Sequence, residues 1–155
     1  MPDRRDFLKL ALGTALGAAL PQLAHGQPRV TRRITVYKSP TCDCCRKWIE
    51  HVDKATDWAI EVKDMDDVTP IKDKLRVPES MRSCHTAVVG RFVFEGHVPV
   101  DVMKAMIDRP RGLVGLAVPG MPTGTPGMEI PGRHADRYNV MGFYRDGRTF
   151  VYASR

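Results

Sequence analysis

Apolar and polar positions change their period several times along the chain, and each change marks an element. Arg33-Ile34-Thr35-Val36-Tyr37 is a β-branched and aromatic run that predicts a first strand. Ser39-Pro40-Thr41 interrupts it. Cys45, Trp48, Ile49, Val52 and Ala55 then recur at helical spacing and predict a helix over 43–56. Alternation over Trp58 to Val62 predicts a second strand. Asp67 to Leu75 reads as a short helix stopped by Arg76-Val77-Pro78. Thr86 to Gly90 and Arg91 to Glu95 predict two strands of a tight hairpin turning at Gly90-Arg91. Pro99 opens a helix that carries Val102, Met103, Met106 and Ile107 on one face. Between Pro110 and Gly132, 11 of 23 residues are Gly or Pro, which predicts a long structured loop with no regular element. Tyr138 to Tyr144 and Arg148 to Tyr152 close the chain as strands joined through Asp146-Gly147. The order β-α-β-α-β-β-α, then a loop and a hairpin, implies an α/β or α+β sandwich around one sheet.

Composition narrows this picture. The 155 residues are 43% hydrophobic and 27% charged, which fits one globular domain and excludes a membrane-spanning, fibrous or low-complexity protein. No internal repeat is visible. The net charge of +6 comes from scattered basic residues, with no run resembling a nucleic-acid arm.

The N-terminus reads as an address. Arg4-Arg5 followed by Asp6-Phe7-Leu8-Lys9 resembles a twin-arginine export signal. The uncharged stretch from Leu10 to Ala24 has 15 residues, against the roughly 20 that a spanning helix needs. Ala24-His25-Gly26 places small residues where a signal peptidase reads them, so residues 1–26 are expected to be a cleaved signal peptide. An uncleaved amphipathic anchor is the alternative. Cleavage leaves residues 27–155 as a periplasmic domain with 21 basic and 16 acidic residues, a net +5. Export argues against nucleic acid as a partner and against membrane attachment after cleavage. It also places the thiols in an oxidising compartment.

Four cysteines are too few for a disulfide scaffold but enough for one metal site or two bridges. Three lie in Pro40-Thr41-Cys42-Asp43-Cys44-Cys45, where strand gives way to helix, and the fourth is Cys84, directly before His85. One helical turn brings Cys42 and Cys45 to the same side, and Cys45 is in phase with Trp48, Ile49 and Val52 while Cys44 is not. The positive end of a helix dipole and its free N–H groups favour thiolates, so these cysteines are expected to be reactive or ligating. Crowded thiolates repel one another, and a soft cation relieves that; such sites select Cu(I) or Zn(II). Adjacent Cys44-Cys45 suits bridging sulfurs in a multinuclear cluster better than one tetrahedral ion. The alternatives left open are a structural zinc module, two disulfides such as Cys42–Cys45 and Cys44–Cys84, and inert thiols.

The cysteine pair that opens the first helix resembles thioredoxin-like proteins, which place a cis-proline before the next antiparallel strand. No proline stands between Pro78 and Pro99, and Cys84-His85 takes that place. The whole predicted mature chain also resembles a small exported family linked to copper resistance, the CopG family. The likeness runs through Tyr37-Lys38-Ser39-Pro40-Thr41-Cys42-x-Cys44-Cys45, Ser83-Cys84-His85-Thr86-Ala87-Val88-Val89 and Glu95-Gly96-His97-Val98-Pro99. It continues through Gly115-Leu116-Ala117-Val118-Pro119-Gly120-Met121-Pro122 and Pro126-Gly127-Met128-Glu129. The resemblance implies a single thioredoxin-like α/β domain over 27–155, with a central mixed sheet, flanking helices, a Gly/Pro-rich loop and a C-terminal hairpin. It implies a multinuclear copper cluster, Cu(I) favoured, bridged by Cys42, Cys44, Cys45 and Cys84. It further implies a role in copper resistance and copper redox handling, with copper ions and other periplasmic copper-handling proteins as partners. No hydrolase or transferase signature is present.

His85 and His97 join the candidate ligands. Neighbours on a strand point to opposite faces, so Cys84 and His85 can both ligate only from irregular backbone; otherwise His85 packs behind the site. His97 precedes a helix and either reaches the site or caps that helix. Met121 and Met128 carry thioethers suited to Cu(I), but methionine also serves as a gap-filler. Met103 and Met106 read as core, and His51 and His134 as solvated. Asp43 reads as a helix cap. A periplasmic thiol–disulfide oxidoreductase, with Cys42 as nucleophile and Cys45 as resolving thiol, is the competing reading.

Overall fold

The computed structural model describes residues 32–155; the expected signal peptide lies outside them. The elements are β1 (Arg33–Lys38), α1 (Asp43–Ala55), β2 (Ala59–Asp64), α2 (Thr69–Lys74), a 3₁₀ turn (Glu79–Met81), β3 (His85–Val89), β4 (Phe92–Gly96), α3 (Val100–Asp108), β5 (Gly115–Val118), β6 (Asn139–Phe143) and β7 (Thr149–Ser154). They form one mixed sheet in the order β2-β1-β3-β4-β5-β6-β7. The pairs β1/β2 and β4/β5 are parallel and the rest antiparallel. The fold is thus α/β with a central mixed sheet and flanking helices, as expected. The placement of β1 between β2 and β3, with α1 between β1 and β2, is compatible with a thioredoxin-like core.

The core lies on both faces of the sheet. Ile34, Val36, Ala87, Phe94, Leu116 and Val140 pack with Trp48 and Val52 of α1 and with Val102, Met103 and Met106 of α3. On the other side Val93, Ala117 and Phe143 pack with Val77 and Met81. This double coverage explains why Phe92-Val93-Phe94 reads as a continuous apolar run rather than an alternation: β4 is central and buried throughout. Met103 and Met106 are core residues, as their spacing predicts.

One prediction fails. The Gly/Pro-rich stretch from Pro110 to Gly132 contains a regular element, β5, whose four residues are all buried. Gly115 is there for close packing and not as a breaker. A Cβ at that position would sit 2.2 Å from the Val93 carbonyl oxygen and 2.4 Å from Cζ of Phe143. The remainder, from Pro119 onward, is the expected irregular loop. The C-terminal hairpin extends the same sheet, with an irregularity in its pairing between Val140 and Met141.

Candidate metal centre

The first part of the site is local. Ser39-Pro40-Thr41 ends β1 with a tight turn in which Cys42 N–H donates to the Ser39 carbonyl at 3.1 Å. Cys42 is the N-cap of α1, without a capping bond from its side chain, and Asp43 is the first helical residue. Asp43 therefore does not cap the helix; its carboxylate pairs with Arg46 one turn on. Cys42 and Cys45 face each other across that turn and are joined as a disulfide, with Cα atoms 5.3 Å apart. Cys44 and Cys84 are free thiols, so the Cys44–Cys84 bridge does not form. The phase argument holds: Cys45 is fully buried beside Trp48, while Cys44 is half-buried and its sulfur lies 3.5 Å from that of Cys42.

The second part is assembled from distant segments. Cys84 occupies a bend immediately before β3, and His85 is the first residue of the strand. That bend is the irregular backbone needed for both to face one side. The Cys84 Sγ lies 3.3 Å from His85 Nδ1 and 3.2 Å from His97 Nε2. No cis peptide bond occurs among the described residues. His97 follows β4, and its Nδ1 lies 2.7 Å from the Pro126 carbonyl oxygen. That carbonyl can only accept, so Nδ1 carries the proton and Nε2 presents its lone pair to the sulfur. The indole N–H of Trp48 donates to the Val98 carbonyl at 2.9 Å and ties α1 to this turn. The Trp48 ring lies 4.4 Å from the His85 ring.

The two parts converge. One ligand atom from each of Cys42, Cys44, Cys45 and Cys84 lies within 4.8 Å of the others, and the same holds for Cys84, His85 and His97. Cys84 belongs to both groups and joins a four-sulfur pocket to a sulfur–imidazole pocket. The Gly/Pro-rich loop covers the junction. A Cβ on Gly127 would meet the Trp48 nitrogen at 2.7 Å and the Cys44 carbonyl oxygen at 2.9 Å, so only glycine lets the loop lie this close to α1. Met121 is exposed and Met128 half-buried. His51 is half-buried rather than solvated, and His134 is exposed as expected.

Electrostatics favour neutral ligands until a cation arrives. Burial, reinforced by neighbouring Cys44, pushes the Cys84 thiol up to about 12. Burial also holds His85 well below the ordinary imidazole range, helped by His97, Lys72 and Lys38. It lowers His97 against the opposing pull of the Pro126 carbonyl and Glu129. Both imidazoles are therefore unprotonated at neutral pH and free to ligate. A bound metal ion would supply the charge that deprotonates Cys84.

The sequence reading missed a buried network behind the Cys84 bend. Lys72 of α2 pairs with Glu95 of β4, and Glu95 also accepts bonds from the Ser83 N–H and the Thr86 hydroxyl. An available signal was an acidic residue ending the apolar run of β4, because a strand buried on both faces leaves a carboxylate in need of a cation.

Fold and site together define an α/β protein whose cysteine cluster can hold a soft metal ion. A family profile described as a protein of unknown function, DUF411, matches residues 81–128, the segment from the Cys84 bend to the loop. No curated protein sequence matches the chain. Two solved structures do. Copper resistance protein CopG in its Form 2 is 39% identical, with a TM-score of 0.75, over 81% of this chain and 98% of that one. Form 1 is 40% identical, with a TM-score of 0.74, over 79% and 96%. The chain belongs to the CopG copper-resistance family.

Proposed function

We propose that this chain is an exported copper-binding protein of copper resistance. It holds Cu(I) in a multinuclear cluster bridged by Cys42, Cys44, Cys45 and Cys84, with His85 and His97 as nitrogen ligands, and cycles copper between Cu(I) and Cu(II). The observation that carries this reading is the convergence of four sulfurs from two distant stretches within 4.8 Å. Thiolate sulfur prefers Cu(I), whereas imidazole also accepts Cu(II), so a site with both can hold either state. The Cys42–Cys45 disulfide supports the redox part of the reading. Reduction of the S–S bond by a two-electron thiol donor gives the two thiolates that bridge Cu(I); two Cu(II) ions re-form the bond by taking one electron each from those thiolates, which leaves two Cu(I) ions on the remaining ligands. Residues 1–26 supply a twin-arginine address, which puts this chemistry in the periplasm beside other copper-handling proteins. Among the described residues no helix is long and apolar enough to cross a membrane.

Full chain purified anaerobically and loaded with Cu(I) is expected to retain more than one copper per chain by elemental analysis, and Cys44→Ser to lower that ratio. A reduced chain that takes up no Cu(I) contradicts the proposal. The same disulfide favours one rival, a thiol–disulfide oxidoreductase with half-buried Cys42 attacking and buried Cys45 resolving. That reading requires insulin-reductase activity that is lost in Cys42→Ser and survives Cys44→Ser.

A further inference from the structure

A buried ion pair is an expensive way to stabilise a domain, because desolvation of both charges offsets their attraction. The Lys72 and Glu95 side chains are 7% and 0% exposed, so this pair calls for an explanation beyond stability. Its hydrogen bonds supply one. Glu95 Oε1 accepts from the Ser83 backbone N–H at 2.6 Å and from Lys72 Nζ. Glu95 Oε2 accepts from the Thr86 hydroxyl at 2.7 Å, and that hydroxyl accepts from Lys72 Nζ at 3.0 Å. One carboxylate therefore grips the chain directly before and directly after Cys84-His85. Its hydrogen bonds go to Lys72, Ser83 and Thr86 and to neither of those two side chains.

The same carboxylate fixes the third candidate ligand. Glu95 stands opposite Thr86 in the β3/β4 register and two residues before His97. Between Glu95 and His97 lies Gly96 at φ +69°, where a Cβ would meet the Ser83 Oγ at 2.6 Å and the Val118 carbonyl oxygen at 2.7 Å. The turn that delivers His97 thus rests on the residue that precedes Cys84. Lys72 is the buried residue of a six-residue helix, and it brings α2 in as the back wall.

We propose that the Lys72–Glu95 pair is a positioning clamp for the metal centre: it presets the Cys84-His85 bend and the His97 turn so that their ligand atoms converge before metal binds. This rests on the copper reading above. A regular strand would send Cys84 and His85 to opposite faces. The clamp holds the bend that overrides this, and it spares the metal the cost of ordering its own ligands.

The test compares reduced, metal-free full chain with variants, using Cu(I) titrated against a chromogenic Cu(I) chelator. Thermal midpoint, Ser83 amide exchange and the alkylation rate of Cys84 are read on the same samples. Lys72→Met/Glu95→Leu replaces the pair with apolar side chains, an exchange that buried pairs often tolerate without loss of stability. The double variant also leaves the Ser83 N–H and the Thr86 hydroxyl without their acceptor, so it is expected to fold with a lowered midpoint, bind Cu(I) about 10- to 100-fold more weakly, and show faster Ser83 exchange and altered Cys84 alkylation. Parent-like affinity and exchange in the folded double variant overturn the clamp. Should the double variant not fold, Thr86→Val removes one arm alone. It is expected to lose affinity in the same direction, with Thr86→Ser restoring it; a parent-like Thr86→Val overturns the clamp. A parent chain that takes up no Cu(I) sinks the copper reading instead. The exchange and alkylation rates of the metal-free variants then decide the clamp by themselves.

Discussion

The Cys42–Cys45 turn and the Cys84–His85–His97 mouth meet at one end of the sheet but are built by different means. The turn is a local structure: three cysteines within four residues, placed by the end of β1 and the first turn of α1. Its outer sulfurs, on Cys42 and Cys44, are half-buried. The mouth draws on the bend before β3, the end of β4 and the loop carbonyl of Pro126, and its two histidines are fully buried. One half is held by helix geometry and stays accessible to chemistry. The other is held by tertiary contacts and a buried charge network. The lesson is that, on the proposed reading, the accessible half serves exchange and redox, while the buried half sets how many atoms converge and how firmly.

That contrast predicts unequal consequences of mutation. The largest effect belongs to the atom the halves share. Cys84→Ser should weaken Cu(I) binding about 100-fold or more in a competition titration, while the domain stays folded, because a ligand common to both groups is lost. A substitution at either pocket alone should cost less; an equal cost would mean that the pockets do not share a ligand.

A smaller effect is expected where the loop seals the two halves together. Gly127→Ala places a Cβ 2.7 Å from the Trp48 nitrogen at φ +86°, so the loop must lift. The Pro126 carbonyl then leaves His97 Nδ1 and releases the orientation of that ring. A loss of about tenfold in Cu(I) affinity is expected. Thermal or denaturant unfolding should report a stability cost of about 1–3 kcal/mol. Unchanged affinity alongside lost stability would restrict the loop to packing.

The same contrast explains what the sequence discloses. The turn is legible because its information is contiguous: Cys45 in phase with Trp48 and Val52 predicts a buried sulfur at a helix start, and the structure has it there. The mouth is only half legible. Cys84, His85 and His97 stand out as residue types, but their convergence depends on strand pairing and a bend that no local pattern encodes. Lys72 hides entirely, since a lysine on a short polar helix reads as solvated and its partner is 23 residues away. β5 hides for another reason. Gly115 counts as a breaker by propensity, yet close contact with Val93 and Phe143 requires it.

The central claim is that sulfurs from both stretches share several Cu(I) ions. Copper K-edge X-ray absorption of the anaerobically loaded full chain tests it most directly. The account predicts a sulfur-dominated first shell with copper–copper scattering. Isolated copper in a shell of only nitrogen and oxygen would contradict it.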